Sequence, residues 1–193
     1  MTTLQANRTL ECEGLACPMP VVRTKKAMDE LNTGEVLEIR ATDKGSVADL
    51  KSWTKGTGQQ YIGYKEEDGV FIHYIRKADP SETIAESNYP HTISLAELKN
   101  KLSAGEKLNI VDVREPAEYA FGHLKDAVSI PAGELDDHLH TLDPSNEYMV
   151  VCRTGSRSDR VCQALAEQGF TNVKNVVPGM AEWTDEVESS IHK

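Results

Sequence analysis

Tyr148-Met149-Val150-Val151-Cys152-Arg153-Thr154-Gly155-Ser156-Arg157 is the stretch on which the reading of this chain turns. An apolar run suited to a buried strand ends in a short polar turn, and a helix-like run from Ser158 to Gln168 follows, ended by Gly169. Cys152 is therefore expected where the carboxyl end of a strand bends into a helix. In an open α/β sheet that corner is the ligand crevice. Backbone N–H groups in such a bend converge, and the helix amino terminus adds positive partial charge. Arg153 and Arg157 add full charges. A thiolate gains from all three, so the Cys152 pKa is expected to fall from ~8.5 toward the ~3.5–7.5 range of activated cysteines. Arg153, Thr154, Gly155, Ser156 and Arg157 form the candidate cradle for an anionic substrate. The competing reading is a buried cysteine that merely closes a strand, for which two arginines and a glycine are poor neighbours. The loop is one residue shorter than that of cysteine phosphatases, which suits a single sulfur better than a tetrahedral phosphate.

Around this corner the second half alternates strand and helix. Ser94-Leu95-Ala96-Glu97 has the form of a capping box ahead of Leu98 and Leu102. Strands are expected at Leu108–Val113, Ala127–Ile130, Tyr148–Cys152 and Asn172–Val177. Alternation of this kind implies a parallel sheet with helices on both faces. Asp112, Arg114, Glu115 and Glu118 are expected to make ion pairs and a helix start rather than catalysis. Cys162 reads as core, Trp183 as packing against the sheet, and His123 as bonded to loop backbone.

The first half has a different rhythm. Thr9–Cys12 and Val36–Ala41 read as strands, and Pro18–Leu31 and Ser46–Thr57 as helices. Gln60–Glu66 and Val70–Arg76 flank Asp68-Gly69, a hairpin signal. The order β-α-β-α-β-β makes a two-layer sandwich. Residues 78–91 are polar and carry two prolines, and they read as a linker. The expected organisation is a first domain at 8–77, the linker at 78–91 and a second domain at 92–188. Both are α/β.

Gly14-Leu15-Ala16-Cys17-Pro18-Met19-Pro20 is the other unusual segment. Proline disfavours helix in the residue before it and suits the first helical turn, which puts Cys17 at or beside a helix N-cap. Free N–H groups, the helix dipole and the nearby Arg23, Lys25 and Lys26 would favour its thiolate. A cysteine packed under the helix start is an equal alternative on these residues alone. Cys12 and Cys17 form too sparse a set for zinc, with neither a second pair nor a histidine cluster.

Composition narrows the function. The chain has 193 residues, 39% hydrophobic and 27% charged, so one or two ordinary domains are expected. Lys plus Arg is 21 and Asp plus Glu is 31, and 21 − 31 gives a formal charge of −10, which opposes sequence-independent nucleic-acid binding. No apolar run approaches the ~20 residues of a membrane helix, and the first residues lack an export-signal pattern, so a cytoplasmic location is expected. In a reducing compartment the four cysteines read as thiols rather than as a disulfide framework.

The second half resembles a single-domain rhodanese. The resemblance lies in Asp112-Val-Arg-Glu-Pro-Ala-Glu-Tyr119, Gly122-His-Leu-Lys-Asp-Ala-Val-Ser-Ile-Pro131, the Cys152–Arg157 loop and Pro178-Gly-Met-Ala-Glu-Trp183. It implies a sulfurtransferase that carries a persulfide on Cys152, with Arg153 and Arg157 attracting the donor. Lys125-Asp126 stands where many members have Pro-Gly. The first half resembles the TusA/SirA sulfur carriers, through Gly14-Leu-x-Cys17-Pro18-x-Pro20 and through Val36–Trp53. That resemblance implies a carrier persulfide on Cys17, although Glu11 stands where the family usually has Asp. Together the two imply passage of sulfane sulfur from a small donor (thiosulfate, a persulfide or a polysulfide) between Cys152 and Cys17, and exchange with a further protein. No cofactor, metal, membrane or direct nucleic-acid contact is expected. The alternative is a thiol redox, sulfur-sensing or partner-binding module without turnover.

Overall fold

In the computed structural model, which describes residues 4–82 and 88–191, the chain forms two units. One runs through Asp79 and includes the last residues from Ser190, and the other spans Pro80–Ser189.

The first unit contains β1 (Arg8–Cys12), α1 (Met19–Glu30), β2 (Val36–Ala41), α2 (Ser46–Thr57), β3 (Gln60–Glu67) and β4 (Val70–Arg76). The expected β-α-β-α-β-β order holds. The sheet order is β1-β2-β4-β3, with β1 parallel to β2 and β4 antiparallel to both of its neighbours. Asp68 and Gly69 both take positive φ, 50° and 80°, the conformation a two-residue hairpin turn demands. A period of two puts Leu37, Ile39 and Ala41 on one face of β2. There they pack with Ala27, Met28 and Leu31 of α1 and its end and with Leu50 of α2.

His73 of β4 is fully buried. Its Nε2 lies 3.0 Å from the Ser46 hydroxyl and its Nδ1 lies 2.8 Å from the Tyr61 hydroxyl. Burial first, and the Lys51 charge second, lower its pKa from 6.5 to about 4. The unfolded chain therefore binds the proton more readily than the folded one. The neutral-histidine fold is fully favoured above pH 6.5, and its advantage is lost as pH falls toward 4. At ~1.36 kcal/mol per pKa unit the loss amounts to about 3 kcal/mol. Thermal melts between neutral pH and pH 4 should show this loss, and a His73→Gln variant should show a flatter profile.

The second unit contains β5 (Thr92–Ser94), α3 (Leu95–Ser103), β6 (Asn109–Asp112), α4 (Pro116–Phe121), β7 (Val128–Ser129), α5 (Leu135–His138), β8 (Tyr148–Val151), α6 (Ser156–Glu167) and β9 (Val173–Val177). All its strands are parallel, in the order β5-β9-β8-β6-β7. Alternate residues feed two cores. Val111 and Val150 meet Val161 and Leu165 of α6, while Ile110, Met149 and Val151 meet Leu98 of α3. Helices thus cover both faces of the sheet. The capping box forms: Ser94 Oγ accepts the Glu97 N–H at 3.2 Å, and the Glu97 carboxylate accepts the Ser94 N–H at 2.9 Å.

Three local expectations change. β7 keeps only two residues of Ala127–Ile130, because it pairs at the sheet edge with β6 alone. α6 starts at Ser156 rather than Ser158, because Gly155, with φ 87°, serves as its N-cap and puts Arg157 inside the helix. The segment read as linker is partly built into the second unit. Pro80–Glu82 form a 3-10 turn, and Tyr89 is buried with its N–H donating to Asp159 Oδ1 at 2.9 Å. One aromatic anchor leaves no periodic signal, so composition could not show it. Residues 83–87 of that segment lie outside the described residues. No helix among the described residues is long and apolar enough to cross a membrane.

Candidate functional site

β8 ends at Val151, and Cys152 is the next residue. Its carbonyl accepts the Met180 N–H at 2.8 Å, and the Arg153 carbonyl accepts the Ala181 N–H at 2.9 Å. The turn after β9 therefore clamps the loop from one side. The clamp needs glycine: a Cβ on Gly179 would lie 2.6 Å from the Cys152 carbonyl oxygen. Inside the bend the Gly155 N–H donates to Cys152 Sγ at 3.1 Å, and Ser158 Oγ lies 3.2 Å from the same sulfur. Asn175 of β9 completes the floor. Its Nδ2 donates to the Gly155 carbonyl at 3.0 Å, and its Oδ1 accepts from Ser158 Oγ at 2.6 Å.

The charges around the loop differ from the sequence expectation. Arg157 is buried and engaged by carboxylates. Its Nη1 and Nη2 donate to the two carboxylate oxygens of Glu118 at 2.8 and 3.1 Å. Its Nε lies 3.4 Å from Glu82 Oε1, and Nη1 lies 4.0 Å from Glu115 Oε1. Carboxylates thus offset the charge assigned to donor attraction. Arg153 is the exposed arginine of the loop. Asp112, Arg114, Glu115 and Glu118 behave as the ion-pair and helix-start set. Arg114 Nη2 donates to Asp112 Oδ2 at 2.6 Å, and Glu118 Oε2 accepts the Glu115 N–H at 3.0 Å.

Cys152 itself is 0% exposed, whereas a sheet-edge crevice implies an open thiol. Thr154 Oγ1 donates to the Glu82 carbonyl at 2.9 Å and Ser156 Oγ to the Ser81 carbonyl at 3.4 Å, which lays the Pro80–Glu82 turn along the loop. Cys162 is fully buried as expected, and burial, then Asp159 and Cys152, pushes its thiol up.

In the first unit Cys17 is exposed and precedes Pro18, the N-cap of α1. The Gly14 N–H donates to Thr42 Oγ1 at 2.8 Å and ties this turn to the loop leading into α2. The expected cations do not set its charge. Arg23 turns back to donate to the Glu11 carbonyl at 3.3 Å. A hydrogen bond to Asp49 comes first among the influences on the Cys17 thiol, and together with slight burial and the charges of Asp49 and Asp43 it holds the pKa above its ordinary value. Asp49 sits one turn into α2, and the fold of the sandwich brings it to Cys17. An Asp49→Asn variant should therefore lower the Cys17 pKa and speed its alkylation at neutral pH, as read by site-resolved mass spectrometry.

Ser158 and Asn175 were absent from the sequence-derived site. The available signal was weak: Asn175 is a polar residue in an otherwise valine-rich strand, and a buried polar group needs a partner.

Residues 8–77 match the family model described as sulfurtransferase TusA, and residues 94–186 match the rhodanese-like domain. The "Putative sulfur carrier protein YrkF" of Bacillus subtilis is 44% identical over 185 residues, covering 96% of this chain and 100% of the relative. The "Sulfur carrier protein TusA" of Allochromatium vinosum is 40% identical over 72 residues, covering 37% of this chain and 95% of the relative. A crystal structure of a rhodanese-like domain protein from Staphylococcus aureus is 37% identical and covers 51% of this chain and 97% of that one, with a TM-score of 0.49. With two matched domains in this order and a relative that aligns over its whole length, the chain belongs to the family that joins a TusA domain to a rhodanese-like domain.

Proposed function

We propose that this protein carries sulfane sulfur as a persulfide on Cys152 and exchanges it with Cys17. Both matched domains are sulfur-transfer domains, so sulfur transfer is the general activity. The observation that carries the finer reading is the Gly155 N–H on Cys152 Sγ at 3.1 Å, at a bend where a glycine caps the following helix. The Cys152 thiolate attacks the outer sulfur of the donor. With thiosulfate, the S–S bond breaks and sulfite leaves with the electron pair. The new outer sulfur then holds the negative charge, facing the amides of the loop. In the second step the Cys17 thiolate attacks that outer sulfur, and Cys152 leaves as thiolate. The reverse direction uses the same bonds. This is nucleophilic catalysis through a covalent sulfur, and it needs no metal or organic cofactor. Arg153, exposed at the rim, attracts the anionic donor. Thr154 and Ser156 tether the Pro80–Glu82 turn to the loop. A further protein supplies or receives the sulfur.

Intact-protein mass after incubation with thiosulfate or polysulfide tests the reading. Wild type and Cys17→Ala should gain sulfur at Cys152, and Cys152→Ala should lose that site. Iodoacetamide should also label Cys152 in the native chain. A Cys152 that stays unlabelled, or a protein that forms a disulfide without gaining sulfur, would overturn the proposal.

A further inference from the structure

The floor beneath Cys152 holds one hydroxyl proton between two acceptors. The Gly155 carbonyl can only accept, so Asn175 must present its NH₂ there, at 3.0 Å. That fixes the amide, and Asn175 Oδ1 then faces Ser158 Oγ at 2.6 Å. A carbonyl oxygen has no proton to give, so the bond uses the single Ser158 hydroxyl proton. Ser158 Oγ also lies 3.2 Å from Cys152 Sγ. While Ser158 donates to Asn175, it offers the sulfur only a lone pair. That suits an S–H, which can donate to Oγ, and it opposes a thiolate. Ser158 and Asn175 are fully buried, so water does not replace either partner.

We propose that Asn175 and Ser158 are positioning residues that act as a proton switch under Cys152: Asn175 holds the Ser158 proton while the sulfur is a thiol, and Ser158 turns it to the sulfur when the thiol ionises. Asn175 thereby competes with the thiolate for one hydrogen bond and raises the pH at which Cys152 becomes nucleophilic. The inference rests on the sulfur-transfer reading for its purpose, and its geometry stands apart from that reading.

Charged and titratable groups stand on the loop and on the elements beside it. Arg153 adjoins Cys152 in the chain, and Arg157, Asp159 and Cys162 lie on α6. Glu115 and Glu118 of the α4 start and Glu82 of the 3-10 turn pair with Arg157. Asp112 and Arg114 form their own pair at the end of β6. Asn175 and Ser158 are neutral, so substituting either leaves this charge set in place.

The test is the pH dependence of Cys152 alkylation by iodoacetamide in the full chain, resolved by peptide mass spectrometry. Asn175→Ala should lower the midpoint by about one pH unit, the worth of one hydrogen bond to a charged acceptor. The same change in a Ser158→Ala background should move the midpoint little, because the contested proton is gone. Ser158→Ala alone should raise the midpoint, and Ser158→Thr should restore it. Equal shifts from Asn175→Ala in both backgrounds, or no shift in a variant that melts like wild type, would overturn the switch. Should Asn175→Ala not fold, the Ser158→Ala and Ser158→Thr pair decides: a midpoint unmoved by alanine overturns it equally. Alkylation reads the thiol without any sulfur transfer. A failed switch with intact persulfide loading, and a normal switch with no loading, therefore condemn different claims.

Discussion

Cys152→Ser should abolish thiosulfate-to-cyanide sulfur transfer, with a loss of at least about 10³-fold, equal to about 4 kcal/mol of transition-state stabilisation. The physical reason is specific to sulfur. A serine hydroxyl is not ionised near neutral pH, even beside the Gly155 N–H, and it forms no stable bond to sulfane sulfur. The structure predicts little other damage. Oxygen can accept the same Gly155 N–H and sit beside Ser158, in a site that is already polar on that side. The variant should therefore melt close to wild type, which separates lost chemistry from lost fold. Cys17→Ser should leave this assay almost unchanged, because cyanide takes sulfur directly. The assay with all three proteins is the check. If Cys152→Ser kept as much as a tenth of the activity, the nucleophile would have to be sought elsewhere.

Glu118→Ala should be the most destabilising single change near the loop. Glu118 and Arg157 have side-chain exposures of 1% and 4%, and they form a two-pronged pair. Removing one partner leaves an uncompensated buried charge, which costs about 3–5 kcal/mol. Glu82, 3.4 Å from Arg157 Nε, relieves only part of it. The Glu115 N–H also loses its acceptor at the start of α4. For a unit of this size the loss corresponds to a fall in melting temperature on the order of 15 °C or more. Glu118→Gln, which keeps an acceptor for the Glu115 N–H, should cost less. Replacing both Glu118 and Arg157 by leucine and methionine should recover much of the stability, since no charge is then stranded. Thermal melts followed by circular dichroism decide the matter, and a cost under about 1 kcal/mol for Glu118→Ala would contradict a buried pair of this kind.

The proposed chemistry and the fold around it are unequally legible. The corner at Cys152 could be read because a strand, a glycine and a helix follow one another within a few residues. Glu118 and Arg157 could be recognised as charged residues, but 39 positions separate them in the chain, and nothing local joins them. The same holds for Thr154 and Glu82, 72 positions apart, whose bond ties the Pro80–Glu82 turn to the loop. Arg157 therefore read as a donor-attracting charge although its partners offset it. Cys17 is a parallel case. The cations nearest in sequence stand on α1, whereas the group that acts on the thiol, Asp49, comes from α2.

By itself the sequence determined the two α/β units, the order of their elements, the hairpin at Asp68-Gly69, the capping box at Ser94 and the two cysteines at helix starts. Each follows from interactions among residues a few positions apart: side-chain periodicity, the φ freedom of glycine, and the missing N–H of proline. Only the tertiary structure decided the surroundings and exposure of those cysteines. Electrostatic energy and burial depend on distance in space, and Asp49 at Cys17 and Asn175 beneath Ser158 arrive there from other strands and helices.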